Sequence, residues 1–174
     1  MEPGSVPMDD LLALFLTWTT YGSWLSGDKR GWVEKPGQFM MHDPAREAEA
    51  AERMHESELV LDPEQRDLIE RTIADHCEYR GWQLHAVKCQ AQHVHVVVSA
   101  PQRHPDDVLD QFKAWCTRRL KELARAKLKI DAKGGMHQVR MKWWSEGGSK
   151  RRLFGTESLS AAIYYVMECQ DLPR

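Results

Sequence analysis

The 174-residue sequence contains no long apolar segment and no internal repeat. A helix that spans a bilayer needs about 18 or more consecutive apolar residues, and the apolar run at residues 11–16 is much shorter. Asp9 and Asp10 precede this run, where a secretory signal peptide would carry basic residues. The sequence therefore predicts neither a membrane protein nor an exported one, and we expect a cytoplasmic location.

Cysteine is scarce and scattered. The four cysteines are Cys77, Cys89, Cys116 and Cys169, and no two of them form a Cys-x-x-Cys pair. Disulfide scaffolds and structural zinc sites need closer and more regular spacing. The spacing argues against both classes and favours reduced thiols.

The net charge is only −2, but basic residues are scarce in residues 1–110 and acidic residues are scarce in residues 111–174. Residues 1–110 carry 10 basic and 20 acidic side chains, whereas residues 111–174 carry 14 and 6. A basic region can be simply a solvated face, or it can bind phosphates while the acidic part stays away from nucleic acid. Composition leaves both interpretations open. The whole chain, residues 1–174, has a suitable length for one globular domain.

Apolar periodicity predicts a regular order of elements. Strands are expected at residues 12–18, 82–88, 92–99 and 137–144, and helices at residues 62–80, 105–127 and 159–169. A charged helical insertion is expected around residues 43–58, and a glycine-rich loop at residues 21–32. The order β-α-β-β-α-β plus a helix predicts a ferredoxin-like (RRM-like) α+β fold, a four-stranded antiparallel sheet with helices on one face and a further C-terminal helix. This fold hosts many functions and favours none.

The most informative segment is residues 92–98, with the sequence QHVHVVV. The β-branched valines favour a strand, on which His93 and His95 point to the same face, about 7 Å apart. Two neutral imidazoles held in this way can bind one divalent cation, and such a cation can polarise a phosphodiester. The alternative is a half-buried strand whose histidines lie on its solvated face, because a bare His-x-His motif is not specific.

The second informative segment is residues 161–170, AAIYYVMECQ, in the last predicted helix. A tyrosine hydroxyl has a pKa of about 10 and attacks poorly unless its proton is removed or the attacked group is activated. Tyr164 and Tyr165 can therefore be nucleophiles, or simply core or interface residues of a terminal helix.

Taken in order, these segments resemble the HUH endonucleases, and among them the single-tyrosine branch. This branch comprises the transposases of the smallest bacterial insertion sequences and the REP-associated tyrosine transposases. The histidine segment resembles the two-histidine signature, and Tyr165-Val166 resembles the context of the family tyrosine. Similar segments are TWTTYGSWL at residues 17–25, GDKRG at 27–31 and KWWS at 142–145. The resemblance covers nearly the whole chain, and the insertion at 43–57 is its least matched part.

The resemblance implies a transposase that cuts and rejoins hairpin-bearing single-stranded DNA. His93 and His95 would bind Mg²⁺ or Mn²⁺ at the scissile phosphate, where the cation acts as a Lewis acid. Tyr165 would attack that phosphate and form a covalent 5′-phosphotyrosine intermediate. Members of the family typically act as homodimers.

This chain departs from the family pattern after the tyrosine. Several relatives carry their third metal ligand, Asn or Gln, four residues later, where this chain has Cys169. We expect Gln170 to be the third ligand, with Glu168 as the competitor. Tyr164 lies four residues before Glu168, so that pair would restore the helical spacing; the Tyr-Val context nevertheless favours Tyr165.

The resemblance also gives the basic and aromatic residues an expected role. Expected contacts to the DNA backbone are Lys113, Arg118, Arg119, Arg125, Lys142, Lys150, Arg151 and Arg152. Expected stacking residues for unpaired bases are Trp24, Trp32, Trp143 and Trp144. Trp115, in contrast, is expected in the core.

Two other classes of function stay open. The chain could be a domesticated, non-catalytic nucleic-acid-binding protein, or a metal-dependent phosphodiester hydrolase that uses a metal-bound water. The presence of both the His-x-His motif and the tyrosine argues against the first.

Overall fold

The computed structural model describes residues 11–34, 37–130 and 138–169. In these residues the strands are β1 (Ala13–Thr19), β2 (Trp32–Glu34), β3 (Gln38–Met40), β4 (Gln83–Cys89), β5 (His93–Ser99) and β6 (Ser149–Leu153). The helices are α1 (Pro44–Glu52), α2 (Pro63–Arg80), α3 (Pro105–Ile130) and α4 (Thr156–Glu168). The main sheet has the strand order β4-β5-β1-β6 with antiparallel neighbours throughout, which confirms the predicted ferredoxin-like class.

Local sequence signals explain why α2 forms where it was predicted. Asp62 accepts a hydrogen bond from the backbone N–H of Gln65, and the Gln65 side chain accepts one from the backbone N–H of Asp62. Within this capping box, a proline occupies the first helical position. Gly81 ends the helix in the left-handed conformation, with φ of 67°.

The main sheet is packed against α2 and α3 on one face and is partly covered by α4 on the other. Val94, Val96 and Val98 of β5 are fully buried in the core formed with α2 and α3. Val97, between them, points to the other face and packs with Ala162 and Val166 of α4. Because strand side chains alternate, His93 and His95 lie on the same face of the sheet as α4.

The predicted fourth strand at residues 137–144 is wrong. In residues 138–148 the only strand-like pairing is one isolated bridge between Thr20 and Trp144, while the fourth strand of the sheet is β6. The residue at position 137 lies outside the described residues. The β6 sequence, SKRRL, has almost no apolar character because β6 is an edge strand with an exposed, charged surface.

The segment between β1 and α2 holds a hairpin that was not predicted, β2 paired with β3. The expected charged insertion contains α1, which has no buried residue. No helix in the described part of the chain is both long and apolar enough to cross a membrane.

Candidate active site

Two strands of the sheet position the histidine pair. The rings of His93 and His95 have centroids 4.8 Å apart, at an interplanar angle of 79°. His95 is 5% exposed, whereas His93 is half-buried. Thr17 of β1 is the register partner of His95, and its Oγ1 lies 2.8 Å from Nδ1 of that histidine. The predicted convergence of the two imidazoles on one face is therefore observed.

Helix α4 carries Tyr165 onto the same face. The Tyr165 ring lies with its centroid 5.8 Å from the His95 ring and 6.0 Å from the Phe15 ring. Ala162 and Val166, which are 4% and 0% exposed, anchor the helix on the sheet. The structure thus brings together a phenol from α4 and an imidazole from β5, residues 70 positions apart in the sequence.

Tyr164 points away from this cluster. It is 64% exposed, whereas its neighbour Tyr165 is half-buried among the aromatic rings. The difference follows from helical geometry, because adjacent residues of a helix lie about 100° apart around its axis. Of the two tyrosines that the sequence left as alternatives, Tyr165 is the one in contact with a histidine.

A cavity of about 450 Å³ opens beside the phenol. Its lining residues are Phe15, Thr17, His95, Ser149, Arg151, Ala161, Ala162 and Tyr165. A phenol, an imidazole and a guanidinium therefore share one open cavity, and this set can bind an anionic group and present a nucleophile to it.

The histidine pair fits a divalent cation in part. If Nδ1–H of His95 donates to Thr17, then Nε2 carries the lone pair that a metal ligand needs, which is the common way in which proteins orient ligating histidines. Among residues 11–34, 37–130 and 138–169, no three His, Cys, Asp or Glu residues form a metal-binding group, so Glu168 does not join the two histidines. Gln170, the expected third ligand, lies outside the described residues.

The expected DNA-binding residues differ in their surroundings. Arg151 lines the cavity, and Arg152, Arg125 and Lys142 are exposed. Some cations are paired with carboxylates: Arg118 and Arg119 with Glu122 at 3.4 and 3.2 Å, and Lys150 with Asp106 at 2.6 Å. Of the expected DNA-binding residues, Arg151 is therefore the one that lines the cavity together with Tyr165 and His95.

Lys113 departs from the expected role. It is half-buried, and its ammonium donates to the backbone carbonyls of Ser145, at 2.9 Å, and of Gly147. Burial lowers the pKa of Lys113 below its usual range. The ammonium connects α3 to the loop before β6, so it is a structural cross-link in this conformation instead of an exposed phosphate contact.

The tryptophan predictions also need correction. Trp143 is 4% exposed and belongs to the core, and its Nε1 donates to the Arg140 carbonyl at 3.0 Å. Trp144 is half-buried, and its Nε1 donates to the Thr117 hydroxyl at 2.9 Å. Neither ring is open to a base, because hydrophobic burial and these hydrogen bonds hold both in place. Trp115, expected in the core, is instead 39% exposed.

The cysteines agree with the expectation of reduced thiols. Cys77, Cys89, Cys116 and Cys169 are all free. Burial raises the pKa values of Cys77 and Cys89 to about 12, so these thiols stay protonated at neutral pH and act as packing groups.

Thr17, Phe15 and Ser149 are site residues that the sequence did not identify. Thr17 lies 78 residues from His95 along the chain, and only the register of β1 against β5 brings the two together. The alternation of β1 puts residues 13, 15 and 17 on one face, but the sequence does not show that this face meets His95.

No protein-family model matches the sequence, and no curated protein matches it. One similar solved structure is a crystal structure of a protein named "putative transposase" from Deinococcus radiodurans R1. It is 18% identical, the alignment covers 98% of this chain and 96% of that chain, and the TM-score is 0.44. A similarity this low does not show that the two proteins share a function.

Proposed function

We propose that the protein is a metal-dependent DNA transesterase, a transposase that cuts and rejoins single-stranded DNA through Tyr165. The single observation that carries the proposal is the position of the Tyr165 phenol, 5.8 Å between ring centroids from an imidazole whose neighbour on the strand face is a second imidazole. Tyr165 also lines an open cavity whose other lining residues include His95 and Arg151.

In the proposed reaction, the phenolic oxygen of Tyr165 forms a bond to phosphorus, and the bond between phosphorus and the 3′ oxygen breaks. The phenolic proton leaves to solvent, and the departing 3′ oxygen takes up a proton. The product is a 5′-phosphotyrosine and a free 3′-hydroxyl. Because the phosphotyrosine is still a diester, a 3′-hydroxyl can attack it in the reverse sense and rejoin strands without ATP.

The side chains around the phenol have distinct tasks in this proposal. His93 and His95, with Gln170 as the expected third ligand, hold Mg²⁺ or Mn²⁺. When bound, this cation supplies Lewis-acid stabilisation of the charge that develops on the phosphate. Arg151 adds a fixed positive charge at the same cavity. Thr17 orients the His95 ring through the contact to Nδ1.

The preferred substrate, DNA with hairpins, and the homodimeric state belong to the same proposal. Their support is the family resemblance of the histidine and tyrosine segments. The test below therefore uses a hairpin-bearing strand.

The test is a search for the covalent adduct. We would incubate the protein with labelled, hairpin-bearing single-stranded DNA and Mn²⁺ and separate the products on a denaturing protein gel. The expected result is a shifted, labelled protein band that Tyr165→Phe abolishes and EDTA prevents. Tyr164→Phe is the matched control, because it removes the same hydroxyl from the adjacent, exposed side chain, and it should leave the band intact.

The other functions give different results in the same assay. A hydrolase that uses a metal-bound water gives cut DNA without a labelled protein band. A non-catalytic binding protein retains the DNA on a native gel but yields neither product. Either result would refute the proposal, as would an adduct that persists in Tyr165→Phe.

A further inference from the structure

A second groove adjoins the proposed active site. It has a volume of about 350 Å³ and lies between the glycine-rich loop after β1 and residues 145–149. Thr17 and Ser149 line both this groove and the Tyr165 cavity. A DNA strand whose phosphate lies beside Tyr165 can therefore place a neighbouring nucleotide in the groove.

Trp24 is the exposed aromatic side chain of this groove. It is 44% exposed, and its Nε1 donates to the Gly31 carbonyl at 2.7 Å, which fixes the plane of the indole. Trp32, which also lines the groove, is only 5% exposed. Of the four tryptophans that the sequence suggested for base stacking, Trp24 alone combines an exposed ring with a place in a groove beside the site.

Arg30 packs over the indole ring of Trp24. Its guanidinium carbon lies 4.8 Å from the centroid of the Trp24 ring, a cation–π distance. The guanidinium donates to both carboxylate oxygens of Asp28, at 2.8 and 2.6 Å, and to the Ser23 carbonyl at 2.6 Å. Asp28 is 6% exposed, and these bonds from Arg30 lower its pKa, so the carboxylate stays charged at neutral pH. The ring is thus preorganised on a rigid support.

The charges of the groove favour a base over a phosphate. Arg30 is already committed to Asp28, and the residues that line the groove include neither lysine nor arginine. Apart from Glu146, the lining is made of aromatic, aliphatic, hydroxyl and glycine residues, and an aromatic face can stack on any base.

We infer that this groove is a subsite in which Trp24 stacks on an unpaired nucleobase next to the scissile phosphate. The inference rests on the proposed function, since it takes single-stranded DNA as the substrate. It adds a specific residue, a specific groove and the chemical class of the group bound there.

The test compares DNA binding with and without Trp24, and with and without each base of the DNA. It uses the Tyr165→Phe background, which should not cut. The probe is a short fluorescein-labelled single-stranded DNA of mixed sequence, with each nucleotide replaced in turn by an abasic one, and the readout is fluorescence anisotropy. Trp24→Ala should weaken binding of the intact strand roughly 5- to 150-fold, the change equivalent to ~1–3 kcal/mol per stacked base. At one position, removal of the base should weaken binding when Trp24 is present and have no further effect in Trp24→Ala.

Two variants control for indirect effects. Trp24→Phe keeps an aromatic face and should retain most of the affinity, which a loss of folding would not allow. Trp115→Ala removes a comparably exposed tryptophan on α3, outside the groove, and should leave the affinity unchanged.

The inference is overturned if Trp24→Ala binds as tightly as Trp115→Ala, or if every abasic position has the same effect with and without Trp24. It is also overturned if the Tyr165→Phe protein does not bind single-stranded DNA. The binding measurements do not require cleavage. The proposed function is therefore tested independently, and the absence of a covalent adduct with the wild-type protein would refute it.

Discussion

At the scale of single residues, Thr17 contacts Nδ1 of His95, and the proposed function assigns the cation to the other ring nitrogen. If Nδ1–H donates to Oγ1, Nε2 keeps the lone pair, and loss of such an orienting partner typically costs 10–100-fold in metal affinity or activity. Thr17→Val keeps the branched shape that suits a strand. We expect it to lower the yield of the covalent adduct roughly 10–100-fold and to raise the Mn²⁺ concentration needed for half of the maximal yield.

The control for this prediction is Thr72→Val. Thr72 lies on α2, its hydroxyl donates to the backbone carbonyl of Leu68, and the change is chemically identical. The expectation for Thr17 would be contradicted if both variants lost the same yield, or if the Mn²⁺ requirement of Thr17→Val stayed that of the wild type. Either result would mean that the threonine supports the fold and does not position the imidazole.

His76 is a buried histidine outside the site, and it predicts a pH dependence of stability. It is 5% exposed, its ring packs 5.5 Å from Trp82 and 5.9 Å from Phe112, and burial lowers its pKa below the usual value of 6.5. Between the lowered pKa and 6.5 the unfolded chain binds more protons than the folded one. The free energy of unfolding must therefore rise with pH in this window. The contribution is complete above about pH 6.5 and is lost as the pH falls.

His76→Gln removes this titration and should flatten the pH dependence of the free energy of unfolding, measured by urea denaturation between about pH 7 and pH 5. Thr72→Val, which changes a buried side chain of the same helix but removes no titratable group, should leave the wild-type slope unchanged. Equal slopes for His76→Gln and the wild type would show that protonation of His76 does not affect folding.

At the scale of elements, the sequence predicted the helices and strands that carry strong local signals. Asp62, Pro63 and Gly81 mark the two ends of α2, and the valines around His95 mark β5. Strand β6 could not be predicted in this way. Its basic residues have no apolar alternation, and it is a strand only because β1 offers it an unpaired edge.

In the candidate site, too, the sequence predicted the features that depend on local structure and missed those that depend on the tertiary fold. The sequence predicted the shared face of the two histidines, because strand alternation is a local property. It favoured Tyr165 over Tyr164 only through the resemblance of Tyr165-Val166 to the family context, since the rotation of α4 is set by how Ala162 packs on the sheet. It could not find Thr17, because register across strands depends on the whole fold.

The glycine-rich loop is held by a tertiary contact that tolerates no side chain. Gly27 has φ of 92°, and a Cβ atom there would lie in contact, 2.4 Å, with the carbonyl oxygen of Asp43 and the backbone nitrogen of Glu47 at the start of α1. Gly27→Ala therefore combines backbone strain of about 1 kcal/mol or more with a backbone clash. We expect a clear drop in the midpoint of urea unfolding and weaker binding of single-stranded DNA.

Gly81→Ala is the matched control for the loop. Gly81 also has a positive φ, 67°, but no atom lies within 4 Å of where its Cβ would be. It should therefore show the backbone strain without the clash. Equal destabilisation by the two substitutions would contradict the close approach of Gly27 to α1.

At the scale of the whole molecule, the unequal charge of the two parts of the chain does not by itself define a DNA surface. Several cations on α3 and β6 are paired locally: Arg118 and Arg119 share Glu122, and Lys150 pairs with Asp106. Arg151 differs because it lines the cavity of Tyr165. The proposed function therefore predicts that Arg151 contacts a phosphate while many other basic residues do not.

This prediction can be measured through the salt dependence of binding in the non-cleaving Tyr165→Phe protein. For single strands, the slope of log Kd against log salt changes by about 0.7 for each phosphate contact that is lost. Arg151→Gln should reduce the slope by about this amount and weaken binding at low salt. Arg53→Gln removes an equal charge from α1, where Arg53 pairs with Glu49, and should leave the slope unchanged. If both variants shift the affinity together without changing the slope, the cation at position 151 acts through the general field of the protein and not through a phosphate beside Tyr165.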